Sequence, residues 1–197
     1  AILNKALKVN TCQWIFRADA DDINHKARFE RQIEFLKDNP DVDILGAQIL
    51  EYDSNGCKKI KTVPAVHEEI VKYLEFRNPF NHMTVCVRAS LFTDGTEYPV
   101  IRYKEDYALW VTLISKGARS ANLLEPLVHV SAGNEMYARR GGIKHVFSEW
   151  QLQKLMREKG GKNTFKAVYH FLIRVGFALA SSKGRAFLYN FLRNNKT

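Results

Sequence analysis

Residues 1–142 alternate between short apolar runs without a helical period and longer stretches that keep one apolar face, whereas the remainder keeps the helical period throughout. The chain opens as a helix already under way, Ala1-Ile2-Leu3-Asn4-Lys5-Ala6-Leu7, with no Met, so something is expected to precede it in the natural protein. Cys12-Gln13-Trp14-Ile15-Phe16-Arg17 places its large apolar residues consecutively, the pattern of a short buried strand, and runs straight into Asp19-Ala20-Asp21-Asp22. Asn24 is placed to cap a helix from about His25 to Asp38, with Phe29, Ile33 and Leu36 on one face and Pro40 as its stop. Val42 to Leu50 predicts a strand. Tyr52 to Gly56 is a turn built on Asn-Gly, and Lys58 to Val63 returns as the second strand of a hairpin.

A short helix follows Pro64, with Glu68 and Glu69 in its first turn, where negative charge suits the helix dipole. Arg77 to His82 is a loop and Met83 to Val87 a strand. A second loop, holding Asp94-Gly95 and Pro99, leads to a helix from about Glu105 to Lys116. That helix carries Leu109, Trp110, Leu113 and Ile114 on its apolar face and ends at Gly117. Ala121 to Val130 is a further strand, and Gly133 to Gly142 a loop rich in Gly and Arg. Alternating strands and helices predict an α/β domain over 1–142. From Ile143 onward only helices are expected: Ile143 to Lys159, Asn163 to Ser181 and Lys183 to Asn194, punctuated by Gly160-Gly161 and Gly184. Residues 143–197 thus form a separate helical region.

Composition narrows the class. With 46% apolar and 26% charged residues in 197, the chain is a folded globular one, which excludes disorder, collagen and coiled coil. Cys12, Cys57 and Cys86 lie far apart with no C-x-x-C pair, so neither a disulfide framework nor a structural zinc site is indicated, and a reducing compartment is expected. No signal peptide is recognisable, and no apolar stretch reaches the ~18 residues of a membrane span, so an integral membrane protein is not expected. The net charge of +9 is unevenly spread. Residues 159–197 hold eight Lys and Arg and no acid, leaving 22 basic against 21 acidic side chains in the rest. A near-neutral body with a cationic end points to an anionic partner for that end alone.

Candidate chemistry gathers at four places. Asp19 and Asp21, two apart after a buried strand, would point the same way in an extended chain and offer two hard oxygen ligands suited to Mg²⁺ or Mn²⁺ on a diphosphate. An EF-hand loop fails, because no Gly occupies its sixth position. The cluster, which includes Asp22, reads equally as a solvated acidic turn that caps the next helix. Glu105-Asp106 opens a helix, either as an acid–base pair for a substrate hydroxyl or as the acids ordinarily favoured in a first turn. His82, where a loop enters a strand, is either a phosphate or metal ligand or a satisfied structural histidine. Arg139-Arg140, followed by two glycines, either closes over a diphosphate or is a solvated connection.

Six segments stand in a telling order: Leu3-Asn4-Lys5-Ala6-Leu7, Trp14 to Ile23 with its Asp19-Ala20-Asp21-Asp22, Arg28 to Leu36, Arg77 to Val85, Glu105 to Trp110, and Asn122 to Val128. Over about residues 1–142 this resembles the inverting glycosyltransferases of family 2, above all the bacterial enzymes that build O-antigen, capsule and exopolysaccharide. The resemblance implies a partial GT-A fold, a mixed α/β sheet followed by the helical region, and a hexosyltransferase-type activity. It implies that Asp19 and Asp21 are the D-x-D pair holding a divalent cation on a nucleotide-sugar donor, and that Asp106, with Glu105 beside it, deprotonates a saccharide acceptor. Asp22, His82, Arg139 and Arg140 would then lie near diphosphate or acceptor. Such enzymes normally begin with a strand, a helix and a second strand ending in a V-D-D-G-S-like turn, which this chain lacks. As given, the chain is expected to miss much of the nucleotide pocket and of the central sheet.

The cationic end adds a partner. Phe165, Val168, Tyr169, Leu172, Val175, Phe177 and Leu179 share a helical stretch with Lys166, Arg174 and Lys183. That pattern suits residues 162–196 to an anionic membrane surface, where a lipid-linked acceptor would be found. Peripheral attachment at the cytoplasmic face of the cell membrane is the corresponding expectation. The same positions suit packing against the catalytic domain or a second subunit equally well. Two rival functions are a noncatalytic interaction domain that keeps a GT-A-like fold, and nucleic-acid binding by the tail, which is not expected because the body is near neutral.

Overall fold

The computed structural model describes residues 2–52, 56, 58–131, 142–160 and 163–179. The chain divides into two compact units, one of residues 1–100 with 105–132 and one of 101–104 with 133–197. In the first unit the elements run α1 (Ile2–Lys8), β1 (Trp14–Phe16), β2 (Ile23–Asn24), α2 (Arg28–Asp38), β3 (Ile44–Tyr52), β4 (Lys58–Lys61), α3 (His67–Leu74), β5 (Cys86–Arg88), α4 (Glu105–Ser115) and β6 (Ser120–Ser131). The described part of the second unit holds α5 (Ile143–Glu158) and α6 (Thr164–Leu179). Helix and strand type therefore follow the sequence pattern along most of the chain. The expected helix 183–194, the tip of the hairpin turn at 53–55 and the Arg139-Arg140 loop lie outside the described residues.

One mixed sheet organises the first unit, in the order β1-β5-β3-β6-β2 with β4 also paired to β3. Among the described strands only β3 and β6 run parallel; the other pairs are antiparallel. β3 is central because its residues are apolar on both faces: Ile44, Leu45, Ala47 and Ile49 are all buried. The β3–β6 register slips between Ala47 and Gln48, where Leu123 and Pro126 are the successive partners. Pro126 has no N–H for the ladder, so the strand bulges there. Gln48 fills the break with its side chain, donating to the carbonyls of Val63 (3.0 Å) and Leu123 (3.2 Å) and accepting from Val63 N–H (2.6 Å).

Three expectations change. Asn24 is no helix cap: it belongs to β2, paired with Val128, and its Oδ1 accepts from the Arg28 guanidinium. α2 begins at Arg28 after Ala27, which makes no side-chain cap bond. Its buried face is Arg28, Gln32 and Leu36, whereas Phe29 and Ile33 are exposed. Burial of Arg28 is tolerable because its Nη2 donates to the Arg17 carbonyl (2.7 Å) and its Nε to Gln32 Oε1 (3.1 Å). Gln32 in turn donates to the Thr84 carbonyl (2.9 Å). Finally, Met83 and Thr84 are not in a strand. Residues His82–Thr84 form a 3₁₀ turn, pinned to β3 by Asn81 Nδ2 on the Ala47 carbonyl (2.9 Å) and by Ala47 N–H on Thr84 Oγ1 (2.9 Å). The strand that follows therefore starts only at Cys86.

Candidate active site

The acidic cluster sits just past β1. The ladder to β5 continues one residue further through Arg17 N–H on the Val85 carbonyl (2.8 Å), and the backbone then turns, closed by Asp22 N–H on the Asp19 carbonyl (3.3 Å). The three aspartates are thus gathered by a turn instead of by alternation along an extended strand. Asp19 and Asp22 are half-buried and Asp21 is exposed. Burial, with Asp21 and Asp19 close by, pushes the Asp22 carboxyl up to about 6. Asp19 Oδ1 lies 2.5 Å from Arg17 Nη2 in an ion pair, yet that contact is not aligned as a hydrogen bond, and the atom is otherwise buried without one. Asp19 and Asp22, crowded into one turn with Asp21, offer the hard carboxylate oxygens a divalent cation takes, although Arg17 already neutralises one of them. Among the described residues no set of three His, Cys, Asp or Glu ligands converges, so further ligands would be substrate oxygens and water, as is usual for Mg²⁺.

Asp106 comes from the other direction, in the first turn of α4, and is half-buried; Glu105 is exposed. Asn78 Nδ2 donates to Asp106 Oδ2 at 2.6 Å, while Asn78 Oδ1 accepts from Phe80 N–H at 3.2 Å. The amide is therefore fixed at both ends and holds one carboxylate oxygen, and the other has no hydrogen-bond partner among the described residues.

His82 links the two acidic centres. Its Nε2 lies 3.3 Å from Tyr98 Oη, and its ring meets those of Tyr98 and Trp110 edge-on, each at 6.0 Å. Burial pushes the imidazole pKa down, opposed by Asp106, Asp19 and Glu105 and reinforced by Arg17. Tyr98 is raised to about 12 by burial and feels Arg17, Asp106 and Asp19 too. The β1 turn and the start of α4 therefore share one electrostatic neighbourhood, with a neutral His82 in it. A cavity of about 270 Å³ adjoins it, lined by Arg17, Tyr98 and Trp110 and by apolar side chains of α1 and β1. Cys86 plays no nucleophilic part, because burial pushes its thiol up to about 12.

His82 feels the charges of Asp19, Glu105 and Asp106, and Asp22 those of Asp19 and Asp21, while Asp21 itself is exposed; Arg139 and Arg140 lie outside the described residues. Arg17, Arg28, Asn78 and Tyr98 were not singled out from sequence. Arg28 and Gln32, four apart on α2, are the one pair of these polar residues at helical spacing that could have signalled a buried network. Asn78 and Tyr98 carry no such signal.

Residues 1–95 match the family described as glycosyl transferase family 2. The chain is 36% identical over 179 residues to an uncharacterized glycosyltransferase of Haemophilus influenzae, covering 90% of this chain and 66% of that protein. It is 35% identical over 187 residues to the amylovoran biosynthesis glycosyltransferase AmsE of Erwinia amylovora, covering 95% of this chain and 70% of the relative. Against the UDP-Gal:alpha-D-GlcNAc-diphosphoundecaprenol beta-1,3-galactosyltransferase of Escherichia coli the identity is 33% over 195 residues, or 96% of this chain and 69% of that enzyme. The chain thus spans about two thirds of the length of these curated relatives. Among solved structures, S. aureus TarS 1–349 superposes with a TM-score of 0.57 at 17% identity, over 87% of this chain and 49% of that one. This likeness concerns the fold alone, and the fold is the GT-A α/β arrangement.

Proposed function

The chain belongs to glycosyl transferase family 2, and from that premise we propose that it moves a sugar from a nucleotide-sugar donor to a saccharide acceptor in surface polysaccharide assembly, with inversion at the anomeric carbon. The supporting observation is that the Asp19 turn and Asp106 act on the same pair of groups, His82 and Tyr98, from different elements. An inverting transfer has its nucleophile and its leaving diphosphate on opposite faces of the sugar, which calls for two acidic centres carried by different elements.

In this reading Asp106 takes the proton of the attacking acceptor hydroxyl on its free oxygen, and Asn78 keeps the carboxylate turned towards it. Asp19 and Asp21 would hold a divalent cation, Mg²⁺ or Mn²⁺, which would supply charge neutralisation on the departing diphosphate. Arg17, ion-paired with Asp19, sets the position of that carboxylate. Neutral His82 contributes a hydrogen bond without adding charge. The acceptor is lipid-linked and is met at the cytoplasmic face of the cell membrane, in keeping with the cationic end.

The experiment is a comparison of binding with turnover in the full-length protein. Nucleoside diphosphates titrated with and without Mn²⁺ report the Asp19 turn, and sugar transfer from a panel of nucleotide sugars reports Asp106. Metal-independent binding together with unchanged transfer by Asp106→Asn would defeat the assignment.

A further inference from the structure

α1 reaches the candidate site through one buried side chain. Asn4, 7% exposed, pairs with both backbone groups of Tyr98: its Oδ1 accepts from Tyr98 N–H at 2.9 Å, and its Nδ2 donates to the Tyr98 carbonyl at 3.2 Å. Tyr98 lies in an irregular segment 94 positions away, so this pairing does for its backbone what a ladder does in a strand. The residue so anchored carries the phenol that stands 3.3 Å from His82 Nε2, and the buried Trp110 ring bounds the same imidazole edge-on.

Where the proton lies in this contact follows from counting partners. The Tyr98 hydroxyl has His82 as its one hydrogen-bond partner among the described residues, and burial pushes its pKa up to about 12, so it keeps its proton at neutral pH. If His82 Nε2 carried a proton and donated it, the phenol O–H would be left without an acceptor in a desolvated place, which is costly. With the phenol donating, Nε2 accepts, and the single proton of the neutral ring sits on Nδ1. Nδ1 has no hydrogen-bond partner among the described residues and is not sealed in the interior.

We infer that Tyr98, anchored by Asn4, is a positioning residue that holds neutral His82 in its Nδ1–H tautomer, and that this N–H donates to a hydroxyl oxygen of the acceptor saccharide. Burial aside, Asp106 is the charged group that acts on His82 most strongly, which sets the imidazole beside the proposed base and not beside the diphosphate. A neutral donor suits a neutral oxygen, because it orients a sugar hydroxyl without drawing Asp106 into an ion pair. The inference rests on the sugar-transfer reading for its ligand, but the tautomer is measured without any substrate.

In the full-length protein, isotope-labelled at the histidine nitrogens and held at mildly alkaline pH, nuclear magnetic resonance tells which ring nitrogen is protonated, and His82→Gln identifies the signals of residue 82. The parent should show a protonated Nδ1 and a bare Nε2. Tyr98→Phe keeps the ring and removes the hydroxyl; it should lose this fixed tautomer and raise the acceptor KM about tenfold, with nucleoside diphosphate affinity unchanged. Asn4→Ala should raise the acceptor KM about fivefold alone and hardly at all beside Tyr98→Phe, because Asn4 acts through that hydroxyl. Asn4→Asp, which keeps the acceptor for Tyr98 N–H, should restore most of the loss.

A parent with its proton on Nε2 would overturn the inference, even where a variant fails to fold. So would a Tyr98→Phe variant whose His82 tautomer and acceptor KM match the parent's. Equal losses from Asn4→Ala in both backgrounds would make Asn4 structural only and overturn its part. A protein that shows the Nδ1–H tautomer but transfers no sugar defeats the sugar-transfer reading and leaves the tautomer standing, whereas normal transfer with the proton on Nε2 defeats this inference alone.

Discussion

Asn78 Nδ2 and Asp106 Oδ2 lie 2.6 Å apart, joining a loop that is stapled to the central strand to the first turn of α4. The bond gives the proposed base one committed oxygen and one free. Asp106→Asn should leave nucleoside diphosphate binding intact and lower turnover about 10³-fold, the range of a lost general base. Asn78→Ala should lower kcat about tenfold at unchanged donor affinity, because it disorients the carboxylate without removing it. Steady-state transfer assays beside calorimetry separate the two effects, and a wild-type kcat for Asp106→Asn would remove the base from Asp106.

Asp21→Asn and Asp19→Asn should each abolish the cation-dependent part of nucleoside diphosphate binding. The readout is a titration with and without Mn²⁺. Binding that stays equally sensitive to Mn²⁺ in both variants would place the cation elsewhere.

The helix and strand pattern, the α/β class and the family resemblance were legible because they rest on local periodicity and on the order of short motifs. The finer structure was not, since it depends on partners far along the chain. Asn24 fits a helix cap by local rules, but Arg28, Val128 and the needs of a buried guanidinium claim it for β2. Phe29 and Ile33 look like the core side of α2 until Arg28 and Gln32 prove to have buried carbonyls to serve at Arg17 and Thr84. The pairing of Asn78 with Asp106 joins residues 28 positions apart and leaves no trace in spacing.

Arg28 should be the costliest polar residue of α2 to replace. Arg28→Met leaves buried Gln32 and the half-buried Arg17 carbonyl and Asn24 without their donor, which should destabilise the fold by about 3 kcal/mol in urea unfolding. A loss below ~1 kcal/mol would mean that water reaches the network.

Glu149 on α5 is 3.0 Å from Lys104 Nζ and 2.7 Å from Gln153 Nε2. Burial would raise its pKa, but Lys104, Arg174 and Gln153 together hold it below the usual 4.5. A depressed folded value means stability that is present above 4.5 and lost as pH falls through the folded pKa. Lys104→Met should cost roughly 3 kcal/mol at neutral pH, and its stability should fall less steeply on acidification than the parent's. Thermal melts from pH 7 to pH 3 test both, and parallel curves would refute the coupling.

His82 supplies a slope at higher pH. Its folded pKa lies below 6.5, so the unfolded chain takes up the proton first, and stability is full above 6.5 and declines as pH drops beneath it. His82→Gln should remove that decline between pH 6.5 and 5 while the Asp and Glu contributions stay as they were. Identical pH profiles for variant and parent would show the imidazole to be hydrated.

The parallel partnership of β3 with β6 sets the order in which this protein can assemble. Ile44 must wait for Ser120, and Tyr52 for Ser131, so the middle of the sheet closes only after most of the first unit has left the ribosome. Until then β3 presents Ile44, Leu45 and Ile49 with one edge unoccupied, and the neighbouring β4 hairpin, being local, forms early and shields only its far end. Slow closure of this kind makes the yield of folded protein sensitive to synthesis rate and to holding chaperones, independently of how stable the finished molecule is.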